Sequence, residues 1–122
     1  MTSDEFISDA IERGQRNGVA SLDPDQRTVF LIAEAEADCD MNGIDTFLDR
    51  YAPDWITETA AAFEAVGANE IAAEMRLAPL KATFGGDRRL NRLNELITGR
   101  VGYDYEAIQR VVEERRRTGR LS

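Results

Sequence analysis

Apolar residues recur along this chain at spacings of three and four, and no segment alternates cleanly with period two, so the pattern predicts helices almost throughout. Phe6, Ile7, Ala10 and Ile11 form a first stripe, with Thr2-x-x-Glu5 ahead of it as a capping box and Asn17-Gly18 behind it as a stop. This predicts a helix from Ser3 to Gln15. Asp23-Pro24-Asp25-Gln26 offers an N-cap, a proline at the first helical position and a glutamine at the third. The helix that follows carries Val29, Phe30, Ala33 and Ala37 and runs to about Met41, where Asn42-Gly43 should end it with a positive φ. Ile44, Phe47, Leu48 and Tyr51 predict a short third helix. Ala52-Pro53-Asp54 restarts the chain, and Trp55, Ile56, Thr59, Phe63 and Val66 give a fourth core face, stopped at Gly67.

Asn69 is the expected cap of a fifth helix with Ile71, Ala72 and Met75, which Pro79 should kink or divide. Gly85-Gly86-Asp87 should open a sixth with Leu90, Leu93, Leu96 and Ile97. Gly99 to Gly102 form a link, and Asp104 caps a last helix with Ile108, Val111 and Val112. The expected fold is therefore all-α, a compact bundle of six or seven short to medium helices. Short connections set neighbours antiparallel or at steep angles. A length of 122 residues suits one helical domain over 1–122. Such a domain buries roughly two-thirds of its unfolded surface without a metal or disulfide.

The single cysteine, Cys39, excludes an intramolecular disulfide and fits a reducing compartment. The acidic start Met1-Thr2-Ser3-Asp4-Glu5 does not read as a secretory signal, and no apolar run approaches the ~20 residues of a membrane span. A cytoplasmic protein without membrane contact is the expectation. The absence of histidine removes the commonest general base, the usual zinc ligand and every Ser-His or Cys-His pair. Phosphate-binding glycine loops are also missing. No catalysis and no cofactor are expected. The rival reading is a carboxylate-based, magnesium-dependent hydrolase using residues among Glu34, Asp38 and Asp45. Cys39 lies in Asp38-Cys39-Asp40, where neighbouring carboxylates should raise its pKa, so it reads as a packed residue.

Charge changes the picture most. The net charge is −8, but residues 1–75 hold 17 acids and 4 arginines, whereas residues 76–122 hold 6 acids and 11 bases. Such asymmetry marks an interaction surface or lets one part of the fold neutralise another. The acids concentrate as Glu34, Glu36, Asp38, Asp40, Asp45, Asp49 and Asp54, opposed only by Arg50. Glu34/Asp38 and Glu36/Asp40 are like-charge i,i+4 pairs, each destabilising a helix by a few tenths of a kcal/mol. Three readings stand: a solvated face, a magnesium or calcium site, and a surface for a basic partner rather than for nucleic acid itself. On ~30 Å of helical rise these acids fall about every 4 Å, close to the ~3.4 Å charge spacing of one DNA strand. A duplex-like surface would need a second row, from Glu58, Glu64, Glu70 and Glu74 or from a second subunit. Arg115, Arg116, Arg117 and Arg120 either complement the dipole of the last helix or dock on the acidic half.

Residues 26–84 resemble a family of small helical proteins named after an acidic DNA-mimic protein and otherwise known as a domain of unknown function. The likeness rests on Asp38-Cys39-Asp40-Met41-Asn42-Gly43-Ile44-Asp45-Thr46-Phe47-Leu48, on Tyr51-Ala52-Pro53, and on Ala60 through Ala65-Val66-Gly67-Ala68. Leu90-Asn91-Arg92-Leu93-Asn94 and Tyr103-Asp104-Tyr105-Glu106 echo the family's C-terminal part more loosely. Asn42, Ile44 and Thr46 depart from its pattern, and Asn91 and Asn94 stand where acids are common. The resemblance implies the helical fold. It also implies an acidic homodimer that occupies the nucleic-acid-binding face of a basic DNA-binding regulator. The expected function is thus an acidic protein-binding module and DNA mimic, with Glu34, Glu36, Asp38, Asp40, Asp45, Asp49, Asp54 and Glu58 on the partner-binding face. An immunity or antitoxin-like inhibitor of a basic toxin is the alternative.

Overall fold

A computed structural model describes residues 1–78 and 88–118. Among them are seven α-helices and no strand: α1 Ser3–Asn17, α2 Pro24–Met41, α3 Ile44–Tyr51, α4 Ile56–Ala65, α5 Asn69–Leu77, α6 Arg88–Thr98 and α7 Tyr105–Arg117. The local signals act as expected at several ends. Thr2 accepts from the Glu5 N–H while the Glu5 side chain accepts from the Thr2 N–H, and Asp23 and Gln26 repeat this reciprocal box ahead of Pro24. Each box satisfies two donors that a helix start otherwise leaves orphaned. Asp104 caps α7 through the Ala107 N–H. The chain leaves α2 through Asn42 and turns at Gly43, whose φ of +109° suits only glycine.

The structure departs from the sequence reading in places. A short 3-10 turn, Val19–Ser21, precedes α2. Ala68, not Asn69, is the cap residue of α5, and it makes no side-chain cap bond. Ala37 is exposed, and Trp55 sits half-buried at the head of α4 rather than in the core. The expected kink at Pro79 and helix opening at Gly85-Gly86-Asp87 lie outside the described residues.

α2 is the axis of the fold. Val29, Phe30, Leu31, Ile32, Ala35 and Cys39 are all buried, so most of its circumference is covered. It packs against α1, α3, α4, α6 and α7, while α4 pairs with α5 and α6 lies on α3 and α5. The fully buried rings of Phe30, Phe47 and Phe63 anchor one continuous core. Each contributes roughly 2–3 kcal/mol by burial. α3 begins at Gly43, which has no side chain to cap it, and the Ile44 N–H instead donates to Asn94 Oδ1 of α6 at 2.9 Å. α6 therefore supplies a cap that local sequence lacks.

The tightest approach in the core is α1 on α2. A Cβ placed on Gly14 would come within 2.2 Å of the Phe30 ring, which is itself fully buried. Alanine would gain about 1 kcal/mol in helix propensity, but overpacking costs about 1–3 kcal/mol, so the clash wins. Gly14→Ala should lower the stability measured by urea unfolding. A neutral or stabilised variant would show that α1 can shift away from α2.

Candidate protein-interaction surface

The acidic stretch of α2 is not a solvent-facing stripe. Residues 34 and 38 leave one flank of the helix, residues 36 and 40 the other, because two positions on a helix differ by roughly 200°. Each i,i+4 pair closes on a single arginine brought from elsewhere. On the first flank Arg50 of α3 binds both oxygens of Asp38 and approaches Glu34 Oε1 at 3.6 Å. Tyr51 OH donates to the same Glu34 oxygen at 2.8 Å, and the guanidinium lies 5.4 Å over the Tyr51 ring. On the second flank Arg100 binds Asp40 with two parallel contacts of 3.0 and 2.8 Å, and its Nε lies 3.2 Å from Glu36. Tyr103 OH donates to Glu36. Both arrangements thus hold two carboxylates, one guanidinium and one phenol.

Burial makes the pairing obligatory. The Glu34 and Asp38 side chains are only 12% and 7% exposed. A carboxylate so enclosed must have charged or hydrogen-bonding partners, and no buried side-chain nitrogen or oxygen among the described residues lacks one. Arg100 reaches its partners from a left-handed backbone, φ +50°, the one non-glycine residue described with positive φ. Its guanidinium also donates to the carbonyls of Ile97 and Thr98, closing the turn on itself. The hydrogen bond from Arg100 holds Asp40 below the usual carboxylate range. Burial, then the bond to Glu34 or Glu36, pushes the phenols of Tyr51 and Tyr103 well above theirs. Burial, reinforced by Asp38 and Asp40, pushes the Cys39 thiol up to about 12.

The eight residues expected on one partner-binding face therefore divide, and this corrects the expected continuous face. Glu34 and Asp38 are internal, Glu36 is half-buried, and Asp40 is exposed but bound to Arg100. Glu58 is taken by Arg27, which also donates to the Leu22 carbonyl and lies over the Trp55 ring at 5.5 Å. The expected second row is neutralised as well: Glu64 pairs with Arg76, Glu70 with Arg92, and Glu74 with Arg89 and Arg92. Arg115 bonds Asp25 and Thr28, so this part of the basic tail docks on the acidic half within the chain. Arg120 lies outside the described residues. What stays open is shorter. Asp45 and Asp49, one helical turn apart on α3, and Asp54 in the turn before α4 are exposed, with no ion pair among the described residues.

Sequence reasoning missed Arg100, Tyr103, Tyr51 as a donor, and Asn94. Its one usable signal was the basic excess of residues 76–122, without any indication of which arginine meets which acid. Among the described residues no group of three or more Cys, Asp or Glu is placed to hold a metal ion. Nor is any helix there long and apolar enough to cross a membrane.

Two predictions follow from the paired flanks. Arg50→Ala leaves Asp38 and Glu34 enclosed without a cation. It should cost about 2–3 kcal/mol in urea unfolding, below the 3–5 of a wholly buried pair because Arg50 is itself half exposed. Adding Asp38→Asn should recover part of the loss, and a cost under ~0.5 kcal/mol would place the pair with ordinary surface ion pairs. The second concerns alkali. Cys39, Tyr51 and Tyr103 all have pKa values raised in the folded state, so the unfolded chain releases these protons first as pH rises. Stability should be intact below about pH 8 and fall progressively above about pH 9. Tyr103→Phe should flatten that decline above about pH 10 by up to one proton. An unchanged slope would count against the burial of this phenol.

The family model described as DMP19-like protein matches residues 20–114, from the 3-10 turn through most of α7, and leaves α1 outside. Comparison with curated proteins finds no match, and comparison with solved structures finds none.

Proposed function

Because the chain belongs to the family of DMP19-like proteins, we propose that it is a non-catalytic module that binds a basic surface on another protein. The contact is made by Asp45, Asp49 and Asp54, with Asp40 at their margin. The observation that carries this is selective exposure. Of the eight acids from Glu34 to Glu58, five are matched to arginines, yet these three face solvent without an ion-pair partner among the described residues. At −8 the whole molecule also attracts a basic partner over a distance and repels nucleic acid and anionic membranes.

The finer reading is mimicry of a nucleic-acid backbone, with a DNA-binding regulator as the basic partner. The likeness to a family named for a DNA mimic supports it. The strip of α3 offers a single short row of charge, because Glu58, Glu64, Glu70 and Glu74 are engaged by arginines. A duplex-like double row would need a second copy of the chain, and a homodimer is therefore part of this reading. A hydrolase built on Glu34, Asp38 and Asp45 is disfavoured, since Arg50 already occupies the first two.

The test neutralises the strip. Asp45→Asn, Asp49→Asn and Asp54→Asn together move the net charge from −8 to −5 and touch no buried group. A partner captured from native lysate by the wild type should be lost by this triple variant. Its retention should fall steeply between low and physiological salt. Duplex DNA should displace it if the chain copies a nucleic-acid backbone. A partner held equally by both proteins places the interface elsewhere. One that is lost by the variant yet indifferent to DNA keeps the acidic contact and removes the mimicry, which is the behaviour of a toxin inhibitor.

A further inference from the structure

The turn that leaves α6 holds an arginine at a position that glycine usually takes. The Val101 N–H donates to the Leu96 carbonyl and the Arg100 N–H to the Ile97 carbonyl, both at 3.0 Å. This is the bonding of a helix end whose first residue beyond the helix adopts the left-handed conformation. Arg100 is that residue, with φ +50°. Glycine is the usual occupant because it has no Cβ to clash there. Here the glycine stands one position earlier, at Gly99, and the strained position carries a long cation. Strain observed at a residue points to a use for its side chain. That side chain ends at the margin of the acidic strip. Its guanidinium is 34% exposed and bound to Asp40, itself 43% exposed, and its Nε reaches Glu36. The buried Cys39 thiol shows how close these charges lie to α3: burial raises its pKa most, Asp38, Asp40 and Asp45 raise it further, and Arg100 lowers it. Four charges therefore surround one point, and without Arg100, Asp40 would join Asp45 and Asp49 as an unpaired carboxylate.

We propose that Arg100 is a specificity-determining residue of the Asp45, Asp49 and Asp54 surface: it takes Asp40 out of that surface and so limits it to a partner whose basic patch is short, against the longer row of cations that a polybasic segment presents. This rests on the reading of the three aspartates as a contact for a basic partner. Specificity is a difference of affinities, and it can be built by withholding contacts from the wrong ligand as well as by making them to the right one. A long row of cations that reaches past Asp45 meets a carboxylate already matched, with a guanidinium beside it, and gains nothing there. The cation is fixed in place, because Arg100 also donates to the carbonyls of Ile97 and Thr98 and approaches Glu36. A glycine in the same turn would relieve the backbone and leave Asp40 open. The arginine therefore serves the charge pattern and not the turn.

The experiment uses the full chain and a fluorescein-labelled hexa-arginine peptide, read by anisotropy at low salt. Arg100→Gly is compared with Arg16→Gln, which frees Glu12 on α1 instead. Both variants move the net charge from −8 to −9, so a difference between them reports position and not total charge. Arg100→Gly should bind the peptide at least about threefold more tightly than wild type, and Arg16→Gln by less than about 1.5-fold. Adding Asp40→Asn to Arg100→Gly should remove most of the gain. If Arg100→Gly does not fold, Arg100→Asn makes the same comparison, since asparagine also tolerates the left-handed conformation. The proposal is overturned if the two single variants bind alike, or if Asp40→Asn leaves the gain intact. Asp45→Asn, Asp49→Asn and Asp54→Asn together should weaken the peptide in wild type. If they do so while Arg100→Gly brings no gain, the acidic contact stands and the role of Arg100 falls. If they have no effect, the contact itself falls, and the proposal with it.

Discussion

A carboxylate carried into a packed interior must meet a cation or a set of donors there, and this constraint organises the molecule around α2. The helix is central, covered by neighbours on most sides, yet it carries Glu34, Glu36, Asp38 and Asp40. Left alone, two like-charged i,i+4 pairs on an enclosed helix would oppose folding. Each pair instead shares one guanidinium and one phenol. Arg50 and Tyr51, adjacent on α3, fix how α3 lies along one flank. Arg100 and Tyr103, in the turn between α6 and α7, fix how that turn meets the other. The left-handed conformation of Arg100 is consistent with this demand, since its backbone strain is held in place by contacts to two carboxylates and two carbonyls.

The same pairing determines what the surface can do. A net charge of −8 does not make the surface uniformly acidic, because the arginines are distributed so that acids of the first two-thirds meet bases of the last third. Arg76, Arg89, Arg92, Arg100 and Arg115 all make such contacts. Within the acidic stretch from Glu34 to Glu58, only Asp45, Asp49 and Asp54 are left outward without a cation among the described residues. That narrowing matters for recognition, because exposed charge steers and selects partners whereas paired charge holds the fold. The strip on α3 is therefore a more specific feature than the total charge, and it is carried by a helix whose inner face, Ile44, Phe47 and Leu48, is locked in the core. Rigid backing of this kind lets Asp45 and Asp49 keep a defined spacing.

How much of this was legible in the sequence depends on the range of the interaction involved. Helix ends set by neighbours in the chain could be read directly: the boxes at Thr2/Glu5 and Asp23/Gln26, the turn at Gly43 and the cap at Asp104 each involve groups a few residues apart. The apolar stripes gave most of the buried faces for the same reason, since periodicity is a local property. The all-α class followed. Local pattern failed where a neighbour in space supplied what the chain did not. Asn94 caps α3 from 50 residues away, and Trp55 is drawn to the edge beneath Arg27.

The acidic surface lay at the limit of what sequence could decide. Composition established that the first two-thirds of the chain carries a large excess of carboxylates and that the last third carries arginines. It could not say which side of α2 each carboxylate leaves, nor which guanidinium meets it, because those pairings join residues 12 to 90 positions apart. Only the packing of α3, α6 and α7 around α2 separates Glu34 and Asp38, which are internal, from Asp45, Asp49 and Asp54, which are not. The sequence determined that there would be unbalanced negative charge on a helical protein. Tertiary structure decided where it remains, because a carboxylate's cost or use depends on the cation and the water within a few ångströms of it.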